Sequence, residues 1–375
     1  VGWLAWELTG STTWLGVIAA ADLLPMLFLA PIAGAITDRH VPLTLQKITQ
    51  FLAVVHALAL AIFTLAGWMT IWLLLALTLF LGVSHTLAST ARHAIVPATV
   101  PRVELATAVG IDSALFNASR FIGPAAAGLV IPFAGVGGTF VANFIGCVVF
   151  YVSLFLMDLA PPERERRGRR GVFSDIGESL SYVRGHAGIG PLFLMLTAIS
   201  ILYRPVQDMM PGFAGAVFQS DAVGLAWLTG GMGVGATISA AWIALRNRVG
   251  GLTVAVVWGC ATLAIGVMGM VATPVLWVAV LFTALAGFSL NNVSTGTQAL
   301  VQYAVDDSYR GRVMGLYTLI YRGTPAMGAL ALGYVAETAG LRGTFMVAAV
   351  LGVAVWLATL PRRRGMRQAL EHEHP

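Results

Sequence analysis

Residues 13–37 read TWLGVIAAADLLPMLFLAPIAGAIT, an apolar run broken by one charged side chain, Asp22, and by Pro25 and Pro31. A helix needs about 20 such residues to cross about 30 Å of hydrocarbon, so this stretch is a membrane span in itself. Further blocks of the same kind follow at 44–67, 71–92, 104–132, 136–158, 188–214, 222–245, 252–271, 275–300, 312–336 and 342–360. Residues 1–8 read as the end of another. The bulk composition agrees: 58% of the 375 residues are hydrophobic and 10% are charged, where soluble domains carry about 25% charged residues. Ordinary soluble folds and disordered chains are excluded on that ground. Cys147 and Cys260 both lie inside apolar blocks, which rules out a disulfide framework and makes them small buried hydrophobes.

The basic residues orient the chain. Alternating the spans places 38–47, 92–102, 159–187, 246–251, 301–312 and the tail on one side, and these hold 18 of the 22 lysines and arginines. Of the others, Arg342 is on the opposite side, and Arg120, Arg204 and Arg322 fall inside spans. Such an excess marks the cytoplasmic side. The net charge of +5 is therefore a record of topology, and it carries no sign of nucleic-acid binding. Arg164, Arg166, Arg167, Arg169 and Arg170 would also suit anionic lipid headgroups. Around and after Ser174 the apolar residues Phe173, Ile176, Leu180 and Val183 recur at helical spacing, which predicts a short interfacial helix.

The two halves repeat at an offset of 205. Trp72 matches Trp277, Gly82 matches Gly287, Ser84 matches Ser289, and Gly110, Gly123 and Gly128 match Gly315, Gly328 and Gly333. Gly138-Thr139-Phe140 matches Gly343-Thr344-Phe345. A parallel duplication of this kind is common among transporters. It predicts an all-α polytopic membrane protein of two pseudo-symmetric six-helix bundles, at 1–158 and 188–360. A basic cytoplasmic linker at 159–187 joins them, and a cytoplasmic tail follows at 361–375. The same offset puts the counterpart of residue 188 about 17 positions before Val1, so the first helix is expected to be incomplete in this chain.

Gly34-Ala35-Ile36-Thr37-Asp38-Arg39, at the end of the first complete span, resembles the signature loop of the major facilitator superfamily. His40-Val41-Pro42-Leu43 stand where that family continues with a glycine and two arginines. A second set is similar to the enterobactin-exporter-like and drug:proton antiporter branch. It comprises Arg92-His93-Ala94-Ile95-Val96-Pro97, Val100-Pro101, Asn117, Arg120, Gly123-Pro124 with Gly128, and Tyr203-Arg204-Pro205. The resemblance covers essentially the whole chain. It implies the two-bundle fold, a gate built on Gly34, Asp38 and Arg39, and an antiporter-like helix bend at Gly123, Pro124 and Gly128.

Polar groups within spans are costly, by about 2.5–3.5 kcal/mol for a charge on insertion scales, and mark pathways or fixed helix contacts. Asp22 sits about ten residues into its span with no basic residue within a turn. It reads either as a packing carboxylate or as a proton-titrating group. Ser113, Asn117, Arg120 and Pro124 share one helix face, with Asp112 beside it. Tyr203, Arg204, Gln207 and Asp208 cluster in another span, where Arg204 and Asp208 can pair at i, i+4. Arg322 is the repeat counterpart of Asn117. Together with His85 these are the candidates for a substrate cavity, fixed interhelical pairs being the alternative. Asn291, Asn292, Thr295 and Gln298 offer hydrogen bonds, and His56 reads as packing.

Gly231, Gly233 and Gly235 lie in an apolar block, so they form a packing face and not a nucleotide loop. Glu371-His372-Glu373-His374 reads as an unfolded tail end. No Walker loop, catalytic triad or zinc spacing occurs, so the expectation is no enzyme, no cofactor and no metal. The resemblance implies a proton-coupled exporter of amphipathic small molecules, a drug or siderophore-like compound. Its partners would be that substrate, protons and the lipid bilayer, and it would act as a monomer in the bacterial cytoplasmic membrane. An uptake symporter of the same fold, and a membrane sensor or assembly protein that does not transport, are the alternatives.

Overall fold

A computed structural model describes residues 1–95, 105–157, 172–246 and 249–371; within helices, some side chains, including most of 105–125, lie outside the description. Among the described residues there is no strand. Helix α1 (Gly2–Thr9) ends at Gly10, whose φ of 61° is left-handed. Helix α2 (Thr12–Arg39) is capped by Ser11, whose Oγ accepts from the Trp14 amide at 3.3 Å. Helix α3 (Pro42–Leu65) opens on a proline, which suits a first turn because it lacks an N–H. Helix α4 (Ile71–Ile95) and helix α5 (Leu105–Ser153) complete the first group. The 49 residues of α5 are two spans fused across Gly135, at φ 67° and ψ 177°, a conformation that only glycine adopts freely.

Helix α6 (Val172–Gly185) is the helix foreseen in the linker. Its Tyr182 hydroxyl donates to Asp306 Oδ2 at 3.2 Å, and its ring stacks on Tyr309 with centroids 4.4 Å apart. Burial pushes the Tyr182 hydroxyl above the ordinary tyrosine range. The block expected at 188–214 is not one helix. Helix α7 (Ile189–Leu202) gives way to short turns α8 (Pro205–Asp208) and α9 (Met210–Gly212), then to a π-helical turn, Phe213–Val217. Pro205 and Pro211 remove two helix donors, which is why the ladder breaks there.

Helices α10 (Ala222–Arg246), α11 (Leu252–Ala272) and α12 (Leu276–Ala304) follow. Helix α13 (Asp307–Thr318) then passes through a π-helical turn, Leu319–Gly323, into α14 (Thr324–Thr359). Gly340 breaks α14 at φ 75° and ψ 153°. It lies 205 residues after Gly135, so the two fused hairpins are copies of each other. Among the described residues nine helices count as candidate spans, against eleven expected blocks. The blocks 312–336 and 342–360 run together, and of α5 only Val130–Ser153 is counted.

Packing repeats as well. Trp14 of α2 meets Trp72 of α4 edge to face, centroids 5.0 Å apart, and Trp227 of α10 meets Trp277 of α12 at 4.9 Å. Gly231 and Gly235 approach the backbone of Val280 and Ala284, which makes the glycine stripe of α10 the expected packing face. Helices α2, α3, α4 and α5 pack on one another, as do α7, α10, α11, α12 and α14. The two groups meet along α2–α14 and α5–α10. Glycines in repeat register mark both seams. A Cβ on Gly128 would collide with Ala226, and one on Gly333 would lie 2.8 Å from the Thr12 carbonyl oxygen. Helix α13, which continues α14 toward the other end of the molecule, packs instead on α6 and α12.

The tail corrects the expectation of an unfolded end at Glu371. Helix α15 (Arg363–Glu371) buries Met366 and Leu370. Glu371 accepts from the Gly251 amide at 2.6 Å, the Thr253 amide at 2.8 Å and Arg367 Nε at 3.2 Å. It therefore caps α11 from another part of the chain, where the helix dipole favours an anion. His372, Glu373 and His374 lie outside the described residues. Glu371→Ala is expected to cost about 1–2 kcal/mol and to free α15 for protease cleavage near Arg367; thermal unfolding in detergent and limited proteolysis measure both.

Candidate functional site

Two polar groups stand inside the helical body, one in each helix group. In the first, Asp22 of α2 faces His85 of α4, with Oδ1 and Nδ1 3.8 Å apart. Both side chains are open, at 42% and 60% exposure. The pair exists because α4 can press against α2 at this level: a Cβ on Gly82 would stand 2.6 Å from the Asp22 carbonyl oxygen. Along its own helix Asp22 has no basic neighbour, and the partner arrives from two helices away in sequence. A carboxylate and an imidazole at this distance attract when both are charged, through space and without a direct hydrogen bond. His56 of α3 is buried, as expected for packing, although its Nε2 has no hydrogen-bond partner among the described residues.

The second group is built by broken helices. Arg204 enters the short turn α8 and donates from Nη1 to Gln207 Oε1 at 3.1 Å. Its guanidinium carbon stands 5.2 Å from the ring centroid of Tyr321. Tyr321 stacks on Tyr317, with centroids 5.8 Å apart and planes at 13°. The Tyr317 hydroxyl donates to the Ser294 carbonyl of α12 at 2.9 Å. One turn back on α12, Thr295 Oγ1 donates to Asn291 Oδ1 at 3.4 Å, while Asn291 Nδ2 is buried without an acceptor among the described residues. Arg322 follows Tyr321 within the same π-helical turn, and π turns inside longer helices occur frequently at functional sites. Asp208 closes α8. The whole forms an aromatic and cationic wall suited to aromatic or oxygen-bearing ligands.

Tyr203 does not join this group. Its ring is buried against α14, its hydroxyl donates to the Ala349 carbonyl at 3.1 Å, and Gly352 leaves room for it. The aromatic part falls instead to Tyr317 and Tyr321. Their i, i+4 spacing beside Arg322 was the available signal. Gly34, Asp38 and Arg39 occupy the last turns of α2, and Asp112, Asn117, Arg120 and Pro124 occupy α5; these side chains lie outside the described residues. Close to the first set, Thr37 and Thr90 join α2 to α4 through their hydroxyls at 2.8 Å. Gly123 has open space around it, whereas Gly128 lies in the α5–α10 seam.

The model of the transmembrane secretion effector family matches residues 1–372. The chain belongs to this family of major facilitator transporters. It is 26% identical to the multidrug efflux pump Tap of Mycobacterium tuberculosis H37Rv over 96% of this chain and 87% of that one. It is 20% identical to macrolide efflux protein A of Streptococcus pyogenes over 93% of this chain and 87% of that one. Among solved structures it resembles the nucleoside transporter NupG, with a TM-score of 0.70 at 12% identity over 96% of this chain and 93% of that one. The inward-open xylose transporter XylE of E. coli matches with a TM-score of 0.68 at 13% identity, over 93% and 85%. These structural likenesses speak for the fold. As a member of the family the chain is a multi-pass membrane transporter and not an enzyme.

Proposed function

We propose that this transporter exports amphipathic small molecules from the bacterial cytoplasm by alternating access, driven by proton entry. The observation that carries the reading is the Asp22–His85 pair, a titratable contact held open between two membrane helices. In this reading Asp22 takes up the proton and His85 tunes it. Arg204, Gln207, Asp208, Tyr317, Tyr321 and Arg322 would line the substrate path, joined by Asp112, Asn117 and Arg120 of α5. The excess of basic residues assigns the α6 and α15 end to the cytoplasm, so the end where α2 begins faces outward. In this reading the seams at Thr12–Gly333 and Gly128–Ala226 close the outer face.

The bundles are taken as 1–158 and 188–360, joined by the linker and followed by the tail. Gly34, Asp38 and Arg39 would close the inner gate after rocking, and Gly123, Pro124 and Gly128 would bend and seal α5. The two curated relatives, named for multidrug and macrolide efflux, support export of drug-like compounds. A monomer suffices, since both polar groups come from one chain. Proteoliposomes loaded with a fluorescent amphipathic dye supply the test. An imposed inward proton gradient is expected to drive dye out with coupled alkalinisation on the proton-rich side, and a protonophore to abolish both. Dye movement that ignores the gradient would refute proton coupling, and movement only inward would refute export.

A further inference from the structure

The two seams between the helix groups are near copies in their glycines but differ in their polar contacts. At the start of α10, Asp221 Oδ1 accepts from the Val223 amide at 2.9 Å and the Gly224 amide at 3.4 Å, so that helix is capped by its own chain neighbour. Helix α2 has such a cap too, in Ser11. It also receives a carboxylate from the other group. Glu337 Oε2 of α14 accepts from Ser11 Oγ at 2.9 Å, Thr12 Oγ1 at 3.0 Å and the Thr13 amide at 3.0 Å. Beside it, Thr12 Oγ1 also reaches the Gly333 carbonyl at 3.0 Å.

Three donors converge on this one oxygen, the Thr12 hydroxyl being shared with the Gly333 carbonyl, which suits a carboxylate, and it sits where the dipole of α2 favours a negative charge. The amide of Thr13 belongs to the first turn, whose donors have no partner inside the helix. Parting α2 from α14 breaks this contact and returns its donors to water. Parting α5 from α10 breaks no such contact among the described residues, because Asp221 travels with α10. Among the described residues, the carboxylate contact between the two helix groups therefore lies on the α2–α14 seam.

We propose that Glu337 is a clasp of the outer gate, a positioning residue that ties the start of α2 to α14 and biases the resting transporter toward the state closed on that face. The proposal rests on the alternating-access reading. Glu337 touches neither polar group described above, so it acts on the conformational equilibrium and not on substrate or proton binding.

The test uses spin labels at Leu8 and Thr338, both exposed and flanking the clasp, with Phe133 and Ala216 as a pair across the sister seam. The full chain is used, with Cys147 and Cys260 replaced by alanine. Glu337→Ala is expected to raise the long-distance population of the Leu8–Thr338 pair relative to the short one by about fivefold, the size of a lost helix cap. Glu337→Gln, which keeps one acceptor, should fall between it and the wild type. Asp221→Ala, which removes a cap but no clasp, should leave the Leu8–Thr338 distances unchanged. Unchanged distances in Glu337→Ala, or an equal change in Asp221→Ala, would overturn the clasp. Dye and proton flux in the wild type is measured separately, so a failure of proton coupling would be seen apart from a failure of the clasp.

Discussion

Asp22→Asn is expected to abolish gradient-driven dye export while leaving downhill dye exchange in place. Asparagine keeps the size of the side chain and its hydrogen-bonding oxygen but cannot take up or release a proton, so packing between α2 and α4 is preserved. What disappears is the only group of the Asp22–His85 pair that changes from neutral to anionic. Placing a charge in the span costs about 2.5–3.5 kcal/mol on insertion scales, a cost that a purely structural residue would not need. Removing the charge should therefore leave folding and expression intact. Uphill export is expected to fall to the protein-free background, at least tenfold below wild type, a change of about 1.4 kcal/mol or more in the coupled step. Counterflow of dye, which needs the rocking motion but no net proton, should persist. Uphill export at the wild-type rate would sink the assignment; loss of counterflow as well would make Asp22 a structural residue. His85→Gln separates the partners further, since it removes the ionisable imidazole but keeps a polar side chain beside Asp22, and it should slow uphill export without abolishing it.

The contrast between Asp22 and its partner shows where reading a one-dimensional pattern stops. Span positions follow from apolar runs, because hydrocarbon imposes a minimum length on every crossing, and the runs recur as α2, α3, α4, α10, α11 and α12 within a few residues. The family followed from motif residues at local spacing. The Asp22–His85 contact is different in kind: it spans 63 positions of sequence and depends on Gly82 letting two helices touch. Spacing within one helix carries no information about it. Tyr203 and Tyr321 show the same limit. Both stand beside an arginine, and only the packing of α14 decides that one ring is filler and the other faces Arg204. The tail is a case of a signal present but outweighed. Met366 and Leu370, four apart, with Arg367 and Glu371 in the same register, are an amphipathic helix, yet the charged and histidine-rich ending suggested an unfolded segment. The breaks at Pro205 and Pro211 were likewise written in the sequence, whereas Gly135 and Gly340 became special only through their backbone angles.

Gly287→Val is expected to have the largest effect on stability, and it separates repeat register from physical need. Gly82 and Gly287 occupy the same place in the two halves, each pressed against the backbone of a neighbouring helix. A Cβ on Gly287 would collide with the Met232 carbonyl oxygen and lie 2.7 Å from its carbon and 2.9 Å from its Cα. Because the obstacle is main chain, no rotamer change relieves it. The whole of α12 must move off α10, which also breaks the approaches of Gly231 and Gly235 to Val280 and Ala284. Overpacking that flexible side chains can absorb costs about 1–3 kcal/mol, so a backbone obstacle at the centre of a helix crossing should cost more than about 3 kcal/mol. The expected result is loss of the monodisperse folded protein in detergent. Gly315 is the informative control. It too is in repeat register, with Gly110, but nothing lies within 4 Å of where its Cβ would be. Gly315→Ala on α13 should therefore be neutral or stabilising by up to about 1 kcal/mol, the helix propensity difference. If both substitutions are tolerated, the close crossing of α10 and α12 is wrong. If both are lethal, register itself marks a requirement that contact geometry does not capture. Only the split outcome ties the repeated glycines to helix contact, one site at a time.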